Sequence, residues 1–235
     1  MLLRNWLEKC KRLLYPNRCA CCSRVLPAGQ KLCGDCGDQL PRIEQPACRR
    51  CGQARSNCLC ARHPRPLYFD GCCAPFAYTG VVRNGIWQFK FRGRVDGAAF
   101  FAAEMAAALR TTCPTLRPTG ICYVPLSKKR RRERGYNQAE LLAEEIAGIL
   151  ECPVAHSLHK VRENKVQHEL RFSDRQENVR NVYVCDGDFT GQTLLLVDDI
   201  KTTGSTLNAC AKLLKEAGAK KVVCLTAAIV PPKGL

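Results

Sequence analysis

Cysteine spacing constrains this chain more than any other feature. Cys19-x2-Cys22 is followed after ten residues by Cys33-x2-Cys36, and Cys48-x2-Cys51 is followed by Cys58-x-Cys60. A two-residue gap lets both sulfurs of one tight turn face a single ion, and two such pairs complete a tetrahedron around Zn²⁺. Between Pro16 and Pro66 the chain is rich in Cys, Gly, Pro and Arg and has no long apolar period. Metal must therefore supply what a hydrophobic core does not. Two structural zinc ions are expected, one on Cys19, Cys22, Cys33 and Cys36, the other on Cys48, Cys51, Cys58 and Cys60. Closed all-cysteine sites of this kind do no catalysis. Cys21 stays open as a substitute for Cys19 or Cys22, and His63 for Cys60. Cys72, Cys73, Cys113, Cys122, Cys152, Cys185, Cys210 and Cys224 lack ligand spacing and read as small buried hydrophobes.

With 18 cysteines, the chain would form disulfides if it were secreted. The N-terminus MLLRNWLEKCKRLLYP, however, has no uninterrupted apolar core of signal-peptide length, because Glu8 and Lys9 follow Leu7. No stretch reaches the roughly 18 apolar residues of a spanning helix. A cytoplasmic, reducing location is expected. Residues 2–14 place Leu2, Leu3, Trp6, Leu7, Cys10, Leu13 and Leu14 on one helical face, with Arg4, Lys9, Lys11 and Arg12 around the rest. Such a helix docks on its own protein or rests at the inner face of the cytoplasmic membrane.

The formal charge of +16 favours anionic partners: nucleic acid, phosphates or a membrane surface. Two four-thiolate zinc sites, each with a net charge of −2, reduce that to +12. Arg18, Arg24, Arg49 and Arg50 lie beside the ligands in sequence and offset the thiolate charge.

Beyond Pro66 the pattern changes. Phe76, Tyr78, Val81, Val82, Ile86, Trp87, Phe89 and Phe91 suggest short strands or turns, followed by an Ala-rich helix from about Gly97 to Leu109. After Pro118, ICYVPL (121–126), VYV (182–184), LLLV (194–197) and KVVCLTAAIV (221–230) read as strands. Asn137 with Glu140 has capping-box spacing, and the helix it opens turns Leu141, Leu142, Ile146, Ile149 and Leu150 inward. A second amphipathic helix spans Leu207 to Ala217 and stops before Gly218. Strands alternating with helices imply an α/β fold, a parallel sheet flanked by helices. Three units are expected: an amphipathic N-terminal helix (1–15), a double zinc ribbon (16–66) and the α/β domain (67–235).

The stretch LLLVDDIKTTGST, Leu194 to Thr206, ends a buried strand in two carboxylates and a hydroxyl-rich loop. In open α/β sheets, ligands bind beyond the carboxyl ends of the strands. Asp198 and Asp199 can accept hydrogen bonds from vicinal hydroxyls. Thr202, Thr203, Gly204, Ser205 and Thr206 lead into a helix whose first N–H groups suit a phosphate. Diol acceptors beside a phosphate cradle describe a ribose 5-phosphate. Lys201 is misplaced for a Walker P-loop, and a G-x-G-x-x-G fingerprint is absent.

VDDIKTTGST resembles the phosphoribosyl-diphosphate (PRPP) loop of type I phosphoribosyltransferases. VPLSKKRRRERGYNQAELLAEEIA (124–147) resembles a segment of the ComF family of competence and DNA-utilisation proteins. So do Gln167, Leu170, Arg175 and Asn178-Val179, the FKFRG segment (89–93) and the double zinc ribbon. The resemblance implies that Asp198 and Asp199 hold the ribose hydroxyls in the catalytic position, and that Thr202 to Thr206 hold the 5-phosphate. It also implies that Val124 and Pro125 approach the pyrophosphate, and that Mg²⁺ arrives with the diphosphate. Lys201 departs from that pattern, since the family's loop more often carries an apolar residue here; its cation either aids binding or faces solvent.

The run Lys128, Lys129, Arg130, Arg131, Arg132, Glu133, Arg134 holds six cations and one anion. It is expected to be a loop at the ligand edge that serves pyrophosphate or single-stranded DNA. The favoured function is handling of imported single-stranded DNA, in natural transformation or in use of DNA as a nutrient, with a retained PRPP site. Phosphoribosyl transfer to an unknown acceptor and PRPP sensing without turnover are the alternatives. Other DNA-uptake or recombination proteins are expected partners.

Overall fold

The computed structural model describes residues 16–61, 66–162 and 182–232. The expected helix over 2–14, His63, Gln167, Leu170, Arg175, Asn178 and Val179 lie outside the described residues.

Apolar runs set the centre of the fold. Leu194, Leu195, Leu196 and Val197 are fully buried, and so is most of Val222 to Ile229. Runs apolar on both faces are what a parallel sheet with helices on each side requires. The strands are β1 (Gly71–Cys73), β2 (Phe76–Ala77), β3 (Gly120–Tyr123), β4 (Leu158–Lys160), β5 (Tyr183–Cys185), β6 (Thr193–Lys201) and β7 (Lys221–Ile229). The main sheet has the order β1-β7-β6-β3, and β2 also pairs with β7. All its ladders are parallel, with Leu194 opposite Val222 and Gly120 opposite Leu194. β3 and β6 therefore end on the same side, which brings Val124 and Asp198 to one edge.

The helices are α1 (Gly34–Asp38), α2 (Gly80–Phe91), α3 (Ala98–Thr112), α4 (Lys128–Arg134), α5 (Gln138–Leu150) and α6 (Ser205–Glu216). On one face of the sheet α3 and α5 pack through Phe101, Met105, Leu142 and Ile146, all fully buried, against Leu195 and Val197. On the other face α6 lays Leu207, Cys210, Ala211 and Leu214 on Leu194, Leu196 and Cys224. Each such Leu, Ile, Val, Phe or Met side chain contributes about 1.5–3 kcal/mol of burial.

The structure corrects four expectations. Residues 80–91 form a helix and not strands. Val82, Gly85, Ile86 and Phe89 make its buried face, while the exposed Trp87 and Phe91 mask the period. The basic run 128–134 is also helical. Ser127 caps it by accepting from the Arg130 N–H at 3.3 Å, and Gly135 ends it at φ +81°. The VYV strand does not join the main sheet; it pairs antiparallel with β4, Leu158 opposite Cys185. Finally, Asn137 is an N-cap, accepting from the Ala139 N–H at 3.0 Å, but Glu140 does not reach back to it. Glu140 instead accepts from the Tyr123 hydroxyl at 2.9 Å.

Candidate functional site

The sulfurs of Cys19, Cys22, Cys33 and Cys36 lie within 4.8 Å of one another, and so do those of Cys48, Cys51, Cys58 and Cys60. The Cys22–Cys33 and Cys51–Cys58 separations are each 3.7 Å. Zn–S bonds of about 2.3 Å arranged tetrahedrally place sulfurs about 3.8 Å apart, so both sets fit structural zinc. The Cys33 N–H also points at the Cys19 sulfur, 3.5 Å away. Cys21 stays out of the cluster. It is fully buried, and burial pushes its thiol up to about 12. Its carbonyl accepts from Asn84 at 2.8 Å and Gln88 at 3.1 Å, both on α2. Arg24 pairs with Asp35 at 2.7 Å.

Of the remaining cysteines, Cys72, Cys122, Cys152, Cys210 and Cys224 are buried as expected, and Cys185 is partly buried. Cys73 and Cys113 differ, since their sulfurs stand 3.8 Å apart. The hydrogen bond between the two thiols, helped by Arg49 and Lys221 against burial, holds Cys113 down to about 6. That bond and burial push Cys73 well above the ordinary thiol range.

At the sheet edge β6 runs past the aspartates to Lys201, so Asp198 and Asp199 sit inside the strand and not at its tip. The ladder continues because Ile200 and Lys201 still pair with Ala228 and Ile229. The Asp199 N–H donates to Asp198 Oδ1 at 2.8 Å. Asp199 is buried and pairs with Lys90 of α2 at 2.9 Å. Burial, with the Asp199 charge beside it, pushes Asp198 up to about 8. The site thus holds two adjacent carboxylates, of which the unpaired one keeps its proton readily.

The hydroxyl loop follows. Thr203 Oγ1 and Ser205 Oγ are 2.8 Å apart, and the Ser205 N–H donates to Thr203 Oγ1 at 3.3 Å. Gly204 turns at φ +80° and α6 starts at Ser205. Thr202, Thr203 and Ser205 are exposed and Thr206 is partly so. Lys201, whose side chain was expected either to serve a ligand or to face solvent, is only 8% exposed. Its stem runs under the loop, where a Cβ on Gly204 would meet Lys201 Cε at 3.2 Å. It has no ion pair among the described residues.

Val124 and Pro125 lie at the same edge and are buried. The Val124 N–H is already spent on the Val197 carbonyl at 2.9 Å, and its carbonyl accepts from Asn137 at 3.0 Å. The α4 cations divide. Arg131 pairs with Glu140 at 3.0 Å, and Arg134 donates to Gln138 at 2.8 Å while lying over the Phe91 ring. Lys128, Lys129, Arg130 and Arg132 are exposed.

Sequence reasoning missed Lys90, which closes on Asp199 from a distant helix. It also missed the chain from Arg131 through Glu140 and Tyr123 to His156, whose Nδ1 is 2.8 Å from the Tyr123 hydroxyl. Lys90 is the second residue of FKFRG, the one signal that pointed to it.

The phosphoribosyl transferase domain family matches residues 96–233, and the double zinc ribbon domain family matches residues 10–74. The chain is 31% identical over 209 residues to the DNA utilization protein YhgH of Salmonella typhimurium, covering 87% of this chain and 86% of that one. It is 32% identical over 197 residues to Competence protein F of Haemophilus influenzae, covering 81% of each. It is 28% identical over 202 residues to Competence protein ComFC of Bacillus subtilis, covering 83% of this chain and 82% of that one.

Proposed function

The chain belongs to the ComF family, a phosphoribosyl transferase domain with a double zinc ribbon ahead of it, and from that premise we propose that it handles single-stranded DNA beside a PRPP site. The names of its relatives speak of competence and of DNA utilisation. DNA taken into the cell in either process is an anionic strand, and the basic chain suits it. Handling of this kind takes place in the cytoplasm, alongside other DNA-uptake or recombination proteins. Among the described residues no helix is long and apolar enough to cross a membrane.

One observation carries the ribose-phosphate part. Asp198 and Asp199 precede an exposed hydroxyl loop that opens the 12-residue helix α6. The two carboxylates accept from ribose hydroxyls. The first-turn N–H groups of α6, with Thr203, Ser205 and Thr206, donate to the 5-phosphate. Exposed Arg130 and Arg132 on α4 are the cations available to a departing diphosphate. Mg²⁺ bound through the diphosphate would supply further charge neutralisation.

A second reading is phosphoribosyl transfer. It is favoured by the Lys90 and Arg134 cations around the aspartates, since fixed donors stabilise pyrophosphate as it departs from the ribose. Calorimetry with PRPP and band-shift assays with labelled single strands test the first reading. Absence of both bindings in the zinc-loaded chain overturns it. Pyrophosphate release across a panel of acceptors decides for transfer.

A further inference from the structure

Helix α2 is apolar on two sides. Val82, Ile86 and Phe89 face the core and are fully buried or nearly so. Trp87 is 43% exposed and Phe91 57% exposed. Large rings left in solvent beside a complete core are not there to hold the fold. Arg83, Trp87 and Phe91 follow at intervals of four, one stripe of about 12 Å along the helix. The two rings have centroids 5.9 Å apart. Arg92 lies over the Trp87 ring at 5.3 Å, and Arg134 of α4 over the Phe91 ring at 5.0 Å.

The charge around the stripe is one-sided. Between Ala74 and Val95 the sequence carries Arg83, Lys90, Arg92 and Arg94 and no acidic residue. Arg94 is held by Asp96 and Lys90 by Asp199. Arg83 and Arg92 have no carboxylate partner among the described residues. The helix is also fixed in place. Asn84 and Gln88 donate to the Cys21 carbonyl on one side, and the Tyr136 hydroxyl bonds the Phe89 carbonyl on the other. A rigid pair of exposed rings beside two arginines without carboxylate partners matches a flexible polyanion that carries aromatic faces.

We propose that the Trp87–Phe91 stripe of α2, with Arg83 and Arg92, is the platform on which bases of single-stranded DNA stack. The proposal rests on the DNA-handling reading above and gives it a surface. Stacking on π faces is tolerant of sequence, and arginine contacts to the backbone add affinity that falls with salt. Because Lys90 of the same helix touches Asp199, a strand on this platform passes the ribose-phosphate site.

The test uses the full zinc-loaded chain and fluorescence anisotropy with a labelled oligothymidylate across a salt series. A double variant, Trp87→Leu with Phe91→Leu, keeps apolar bulk and removes both rings. It is expected to lose about 10- to 100-fold in affinity with an unchanged salt slope. Arg83→Gln with Arg92→Gln is expected to flatten the log–log slope by about 1.4. An abasic oligomer of equal length is expected to bind the ring variant and the wild type alike. Zinc content and melting temperature equal to wild type show that the variants are folded. If the wild type binds the strand and the ring variant binds equally well, the platform is wrong and the DNA-handling reading stands. If the wild type binds no single strand, both fall. If the ring variant loses binding to anionic lipid vesicles instead, the surface belongs to a membrane and the proposal is overturned.

Discussion

Gly85 of α2 and Ala20 of the first cysteine turn approach so closely that a Cβ on Gly85 would stand 2.5 Å from the Ala20 carbonyl oxygen. The same Cβ would meet the Phe101 ring at 3.2 Å. No flexible side-chain end is available to yield on the backbone side. Gly85→Ala is therefore expected to cost about 1–3 kcal/mol, the range for overpacking. It should also speed zinc loss to a chelator. Thermal melts with and without chelator check both effects.

The same close approach changes what metal removal should do. The low apolar content of residues 16–66 would by itself predict that they unfold alone. Cys19, Cys21, Cys33 and Cys36, however, share one core cluster with Ile86, Phe89 and Phe101. Stripping zinc should lower the melting temperature of the whole chain, seen by circular dichroism of its helices. An unchanged helical transition after complete zinc removal would refute this coupling. Elemental analysis of the untreated chain is expected to give two zinc ions per chain.

Asp199→Asn should weaken PRPP binding by about 1–3 kcal/mol, the scale of one charge-assisted hydrogen bond. The substitution also leaves Lys90 without its partner at a largely buried position. The melting temperature should therefore fall, which a residue outside the core would not cause. Calorimetry and a melt on the same sample separate the two effects.

Asp198 gives stability a definite pH dependence. Its folded-state pKa lies above the ordinary value of 3.8, near 8. The folded chain thus keeps a proton that the unfolded chain releases, and stability falls as pH rises from about 4 to about 8. Asp198→Asn should remove that slope, gaining relative to wild type at pH 8 and little at pH 4. Denaturant melts at the two pH values are the measurement.

Neutralising Arg130, Arg131 and Arg132 together should flatten the salt dependence of single-strand binding by about 0.7 for each phosphate that is no longer neutralised. Arg131 is engaged with Glu140, so the triple variant should give up fewer than three phosphates. An unchanged affinity and slope would remove α4 from the DNA path.

Among the described residues, Cys113 should be the first non-ligand thiol alkylated by iodoacetamide at pH 7. It is partly exposed, and the thiol of Cys73 lowers it to about 6. Cys73→Ala removes that hydrogen bond and should slow the reaction. Mass spectrometry of peptides from the zinc-loaded protein identifies the site.

The parts legible in the sequence are those set by local pattern. Leu194 to Thr206 announces a strand, a carboxylate pair and a helix start, because apolar run, acids and hydroxyls follow in that order. The cysteine spacings likewise name both sulfur clusters. The illegible parts are those where a distant partner decides. Trp87 and Phe91 blur the period of α2, and the helix is held by its buried face of Val82, Ile86 and Phe89 and by the Cys21 carbonyl that Asn84 and Gln88 reach. The run 128–134 has no apolar stripe, yet Lys, Arg and Glu are good helix formers between a serine cap and a glycine stop. Glu140 has capping-box spacing, but Tyr123 offers it a better partner. The Lys90–Asp199 pair joins residues far apart in sequence, and nothing local foretells it.

The placement of β1 bears on synthesis. Its ladder in the main sheet is with β7, Gly71 opposite Val223, and Asp70 accepts from the Val222 N–H at 2.7 Å. Gln53, between the zinc ligands Cys51 and Cys58, also donates to the Val230 carbonyl at 2.8 Å. On the ribosome both cysteine turns emerge early and can capture their ions at once. The strand that follows them has nothing to pair with until Lys221–Ile229 has been translated. Between translation of the second cysteine turn and of β7 the nascent chain is a metal-closed head beside an unsealed sheet, about 150 residues of synthesis in which β1 waits for its partner.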